Sequence, residues 1–228
     1  MDFQGKFCRA VIVGAKWLNL GQYRTPPREQ FTEPAVYICR HSDMSGPLLS
    51  MLNIPLQVHP WAYYVFCEPE ACRRQYADYT FSVRFGWKKW IAEIVAWLIA
   101  EPFSGLIRSA GSIPVYRNSL KVRDTFKLSV EALKRGESLL IFPDVDYTDQ
   151  DGDEVKLYEG FLMLEKLYFR ETGKHLPFVP IHLSAAKKAM FLDEVILFRD
   201  DVAFKDDKDR VIRAMQSALN GMAEKHGV

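Results

Sequence analysis

Cysteine is scarce, and its pattern rules out two ways of organising a fold. Cys8, Cys39, Cys67 and Cys72 show neither zinc-knuckle spacing nor a Cys-x-x-Cys redox pair. A structural zinc site needs paired Cys/His donors, so no metal is expected to hold the chain together. The amino-terminal residues lack the pattern of a secretory signal, which leads to the expectation of reduced thiols in a cytoplasmic setting. Long apolar runs are also missing. Residues 87–107 come closest, but Lys88, Lys89, Glu93 and Glu101 interrupt them and Pro102 is expected to end the helix, so a conventional spanning segment is not expected. A net charge of +1 argues for no partner. Without a long basic stripe or a recognisable module, nucleic-acid binding is not expected. Internal repeats and low-complexity tracts are absent.

What is present fits a folded α/β chain. Its 228 residues suffice for one domain with a full core. Residues 2–20 carry Phe3, Phe7, Val11 and Ala15 at four-residue steps among Lys6, Arg9 and Lys16, an amphipathic helix suited to covering a core or resting on a membrane surface. A loop with Pro26 and Pro27 separates it from the rest, so the expected division is a helix and loop over 1–32 and an α/β domain over 33–228. Strands are expected at 35–39, 59–66, 111–116, 138–142, 177–183 and 194–198. Helices are expected at 47–52, in part of 69–85, and at 87–100, 121–135, 157–170 and 206–223, with a turn over 103–108. Strands alternating with helices of this length imply a single domain with a mostly parallel central sheet flanked by helices.

The stretch around which the rest is organised is 138–154, SLLIFPDVDYTDQDGDE. A short apolar strand runs into Pro143, and six carboxylates come after it: Asp144, Asp146, Asp149, Asp151, Asp153 and Glu154. Chemistry in parallel sheets collects beyond the carboxyl ends of the strands. His41 follows a second apolar strand, and the two strand ends are expected to meet. Trp87, Trp90 and Trp97 with Lys88 and Lys89 suit interfacial anchoring, a tunnel for an acyl chain, or core filling.

Four segments, taken in order, resemble the blocks of the glycerophospholipid acyltransferase family, of the lysophosphatidic acid and glycerol-3-phosphate acyltransferase type. His41 and the residues after it resemble the H-x4-D block. GSIPVYR, 111–117, resembles the second block, LLIFPDVDYT the F-P-E-G-T-R block, and PFVPI, 177–181, the last. The likeness covers roughly 33–200. It implies transfer of a fatty acyl group from acyl-CoA or acyl carrier protein to a hydroxyl of a lysophospholipid or glycerol-phosphate-like acceptor. No cofactor is bound in that chemistry; the acyl donor is a co-substrate. The expected setting is cytoplasmic, in contact with the inner face of a membrane. His41 would be the general base and Arg117 the anchor for the acceptor phosphate, with Arg108, Tyr147, Lys156 and His182 as further substrate-binding candidates.

The departures bear on activity. The catalytic aspartate position is Gly46. In the third block Asp144 replaces glutamate, Val145 glycine, Asp146 threonine and Tyr147 arginine. An acid near a lost arginine disfavours a phosphate dianion unless Arg108, Lys156 or a cation compensates. Imidazole is the side chain that exchanges protons near neutral pH, but as a base it needs an acceptor to fix its tautomer. Asp43 would point off at about 200° if helical. Asp144, from the neighbouring strand end, is the preferred substitute. Loss of a proper orienter costs about 10⁴ in rate in a serine-protease triad. An inactive lipid- or acyl-carrier-binding protein on the same fold is therefore a second reading. A third comes from D-V-D-Y-T, 144–148, which resembles the nucleophile motif of magnesium-dependent haloacid-dehalogenase-like phosphatases, with Asp144 as nucleophile and Asp146 as acid/base. Its setting fits poorly, since Asp206-Asp207 precedes a helix rather than following a strand. Asp149, Asp151, Asp153 and Gly152 are weakly similar to a calcium loop, but Tyr147 stands where its first acid belongs, so a solvated loop is expected there.

Overall fold

The computed structural model describes residues 4–18, 21–41, 46–116, 119–143 and 157–227. Along the chain run α1 Lys6–Trp17, β1 Val36–Cys39, α2 Gly46–Asn53, β2 Val58–Tyr63, α3 Tyr64–Cys67 and α4 Pro69–Arg74. A π-helical segment, Gln75–Arg84, leads to α5 Lys89–Ser109, β3 Ile113–Val115, α6 Val122–Lys134 and β4 Ser138–Ile141. The chain continues with α7 Met163–Thr172, β5 Phe178–Ser184, β6 Ala189–Leu192 and α8 Phe204–His226.

The strands form a six-stranded sheet in the order β3-β2-β4-β1-β5-β6. β1 pairs in parallel with β4 and with β5, β2 pairs in parallel with β3, and β6 pairs antiparallel with β5. This is the α/β class expected from the alternation, a mostly parallel sheet flanked by helices. β1 and β4 are buried along their whole length, as strands covered on both faces must be. Val36 sits opposite Leu139 on one side and Phe178 on the other. Pro180 is tolerated inside β5 for a local reason. Phe178 exchanges both backbone bonds with Ile196, so residues of its parity face the β6 side. There the Pro180 carbonyl accepts from Asp193 N at 3.0 Å, where β6 has already ended, and a missing N–H costs no ladder bond to β1.

Close contacts sort the chain into two compact units, a grouping different from the expected division at residue 32. The smaller comprises Met1–Val13 and Pro60–Thr125, the larger Gly14–His59 and Phe126–Val228. In the larger unit Tyr37, Cys39, Leu140, Val179 and Ile181 build one core with Ile54, Leu56 and Val58, and Phe142 packs at its margin. Glu137, just before β4, accepts from His59 and Arg135 and ties β2 to β4. Burial alone would raise its carboxyl, but those two partners hold it below the ordinary range. The end of α8 is fastened to the outer strands: Ser184 Oγ donates to the His226 carbonyl at 2.6 Å, and the His226 ring stacks on Phe191.

The smaller unit is built differently. Ala92, Ala96 and Ala100 of α5, spaced by four, pack against Cys72, Tyr76, Ala77 and Phe81. Small residues let helices approach closely, and rings fill what remains: Phe66, Tyr76 and Phe103 meet at 5.7–5.8 Å. In the π-helical segment Thr80 and Ser82 turn their hydroxyls back to the carbonyls of Gln75 and Ala77, five residues earlier. α1 docks on the far end of α5, with Gly5 N donating to the Ser109 carbonyl and Cys8 N to Ser109 Oγ.

Several expectations need correction. Pro102 does not end the helix: α5 runs through it to Ser109, absorbing the expected 103–108 turn. Pro102 is exposed, so the Leu98 carbonyl it leaves without an intrahelical donor lies on a face that water reaches, while the alanine stripe holds the helix before the proline and Phe103 packs against the same core just after it. The strand expected at 194–198 is a single bridge, Phe178 to Ile196. The antiparallel strand is instead β6, reached by a turn in which Lys188 adopts φ 45°. The aromatic strand ends at Tyr63, and residues 64–67 turn into α3.

Candidate functional site

His41 stands two residues beyond the end of β1, and Phe142 and Pro143 follow the end of β4. Because β1 and β4 are parallel neighbours with Ile38 opposite Ile141, both chains leave the sheet on the same edge. The half-buried His41 ring meets Phe142 edge-on, with centroids 5.6 Å apart and planes at 74°. Phe142 is the site residue that the sequence reading passed over. An aromatic side chain closing a strand just before a proline was its only signal. The last resemblance block, on β5, lies on the other side of β1, with Cys39 opposite Ile181. Three of the four blocks therefore sit on adjacent strands of the larger unit.

α2 is seated against this edge by Ser50, buried 3.6 Å from the Cys39 thiol, whose hydroxyl donates to the Gly46 carbonyl at 2.8 Å. Gly46 is itself buried at the start of α2. It has no side chain that could accept from the His41 ring.

His182 was a substrate-binding candidate, but the strand's alternation turns it away from this edge. Ile181 joins the core that includes Phe142, so His182 points to the opposite face of the sheet. It is 2% exposed, and its Nε2 donates to the Gly227 carbonyl at 2.8 Å beyond α8. Burial lowers its proton affinity, the Gly227 carbonyl raises it, and Arg40 adds to the lowering. That ring serves the α8 anchor. Arg108 lies in the smaller unit on the last turn of α5, where its guanidinium donates to the Cys67 carbonyl at 3.2 Å and to Glu101 at 3.3 Å. Asp43, Arg117, Asp144, Tyr147 and Lys156 lie outside the described residues.

Among the described residues no group of three or more His, Cys, Asp and Glu side chains is placed to hold a metal ion. A shallow hollow of about 370 Å³ lies between α8 and the segment after β6, lined by Asp193, Glu194, Ile196, Ala214, Ser217, Ala218 and Gly221. None of the candidate site residues lines it. What the β1–β4 edge offers chemically is an imidazole with an aromatic wall, at the end of the sheet where parallel α/β proteins place their reactions. No protein-family model matches the chain, and a comparison with curated proteins found no match either.

Proposed function

We propose that the chain transfers a fatty acyl group from acyl-CoA or acyl carrier protein to a hydroxyl of a lysophospholipid or glycerol-phosphate-like acceptor, as the family it resembles does. The observation that carries this reading is the junction of β1 and β4, where His41 stands against Phe142 at the carboxyl edge. His41 takes the proton of the acceptor hydroxyl as its oxygen attacks the thioester carbonyl. A C–O bond forms, the C–S bond breaks, and the imidazolium returns its proton to the departing thiolate. Asp144 or Asp43 orients the ring, and Arg117 holds the acceptor phosphate.

The test is purified protein given labelled acyl-CoA, or acyl carrier protein, with a panel of lyso-lipids. His41→Ala is expected to lower turnover by about 10²–10⁴ while the folded spectrum is kept, and unchanged turnover ends the assignment. One observation favours a second reading: the family's orienting aspartate is replaced by the buried Gly46. Bound lipid without product in the same assay identifies a catalytically silent lipid or acyl-carrier binder. Magnesium-dependent hydrolysis of a simple phosphomonoester, lost in Asp144→Asn, would favour the phosphatase reading instead.

A further inference from the structure

The surface of the smaller unit carries an apolar face that its fold does not use. Trp90, Ile94, Trp97 and Leu98 step by three and four along α5, share one side of it, and are each more than half exposed. The turn that enters α5 continues the face. Every residue from 83 to 90, V-R-F-G-W-K-K-W, is exposed. Trp87 is held there by stacking on Phe81 at 4.8 Å, and Phe85 lies 6.0 Å from both rings. Further along the same side Phe7 of α1 lies over Gly105, beyond the exposed Glu101 that ends the apolar stretch. A contiguous patch of this kind marks a contact surface.

Charge selects the occupant. Arg84, Lys88 and Lys89 are interleaved with the rings at the tip, where residues 83–92 contain no carboxylate. The exposed Glu93 and Glu101 come only further along α5, so the positive charge is concentrated at the tip. Tryptophan and lysine side by side suit the headgroup layer of a bilayer, where rings sit at the acyl boundary and ammonium groups meet phosphate. At 21 residues α5 is long and apolar enough to cross a membrane, and only 22% of its most apolar 18-residue window is buried. It is not inserted across one, however. Its alanine side is packed against α4 and the π-helical segment, which carry Glu70, Arg74 and Asp78 exposed, and a spanning α5 would drag those charges into hydrocarbon.

We infer that this face of α5, with the tip at 83–90, lies in the interfacial layer of an anionic phospholipid bilayer. The inference stands apart from acyl transfer, because its readout is vesicle binding without turnover. The full chain should float with phosphatidylcholine–phosphatidylglycerol vesicles and less with phosphatidylcholine alone, and its tryptophan emission should shift to the blue. The double substitution Trp90→Ser with Trp97→Ser should weaken vesicle binding at least about tenfold, whereas Val195→Ser in the larger unit should leave it unchanged. Vesicles of brominated lipid should quench the wild-type tryptophans, a measurement that needs no variant. Sedimentation without vesicles, equal binding by the double variant, or absent quenching would each overturn the inference. So would a dimer in size-exclusion chromatography that the double variant converts to monomer, since a second copy would then be the occupant.

Discussion

The two units bury their apolar residues by opposite means. The larger one sandwiches long aliphatic side chains between a sheet and helices, and Leu139, Leu140, Ile181 and Leu164 have no exposed surface. The smaller one closes its core with alanines and rings, and leaves its largest side chains outside. All five tryptophans keep solvent contact, and four of them, Trp61, Trp87, Trp90 and Trp97, belong to that unit. Tryptophan is ordinarily well buried. Trp90 and Trp97, with most of their surface outside the core, add little to the unit's own stability. Apolar residues in the larger unit should therefore be sensitive to truncation, and those on the α5 face should not.

The sharpest way to break that contrast is Leu140→Ala in β4. With no room to collapse in a fully buried strand between two neighbours, it should cost about 3 kcal/mol in urea unfolding. In the smaller unit the equivalent injury is enlargement. Ala96→Leu should cost about 2 kcal/mol by forcing α5 off Tyr76 and Ala77, and it should disturb the near-ultraviolet signal of the stacked rings. A pH series reads the larger unit alone. His182 is held neutral by burial and by Arg40, so the unfolded ring takes up its proton first as pH falls through about 6.5. The stability it confers is present above that pH and is lost on acidification towards the lower folded value. His182→Gln should flatten the fall of Tm between neutrality and mild acid. Smallest of all, Trp97→Ser should change unfolding free energy by about 0.5 kcal/mol or less, since its ring is 69% exposed. A large loss there would make the ring a core residue and remove the contrast.

The sequence carries the larger unit more plainly than the smaller. Leu157, Phe161, Leu164 and Tyr168 follow one another by three and four across the helix expected at 157–170 and all are buried, and Gly173 takes the left-handed φ of 68° that stops α7. The periodicity of the helix expected at 206–223 turns Val211, Met215, Ala218, Leu219 and Met222 inward; all but the half-buried Ala218 are buried along α8. β6 escaped because the turn before it uses Lys188 at positive φ, where composition signals glycine or asparagine. In the smaller unit the reading failed at Pro102, since a stripe of alanines gives no hydrophobic signal strong enough to outvote a proline. The 75–84 segment reads as weakly periodic because a π-helix follows neither period that pattern reading tests. Of the candidate site, the meeting of the His41 and Phe142 strand ends was legible from two apolar strands each followed by polar residues. The side of the sheet taken by His182 was not, because alternation fixes a face only once the register is known.

The five-residue step of the 75–84 ladder has a consequence for chain length. Each of its turns holds more residues than an α-helical turn, so a one-residue deletion can be absorbed by tightening into ordinary α geometry. The same deletion near residue 92 would rotate everything beyond it by about 100° about the axis of α5. Ile94, Trp97 and Leu98 would leave the side they share with Trp90. Of the two helical arms, one tolerates a missing residue and the other keeps strict count.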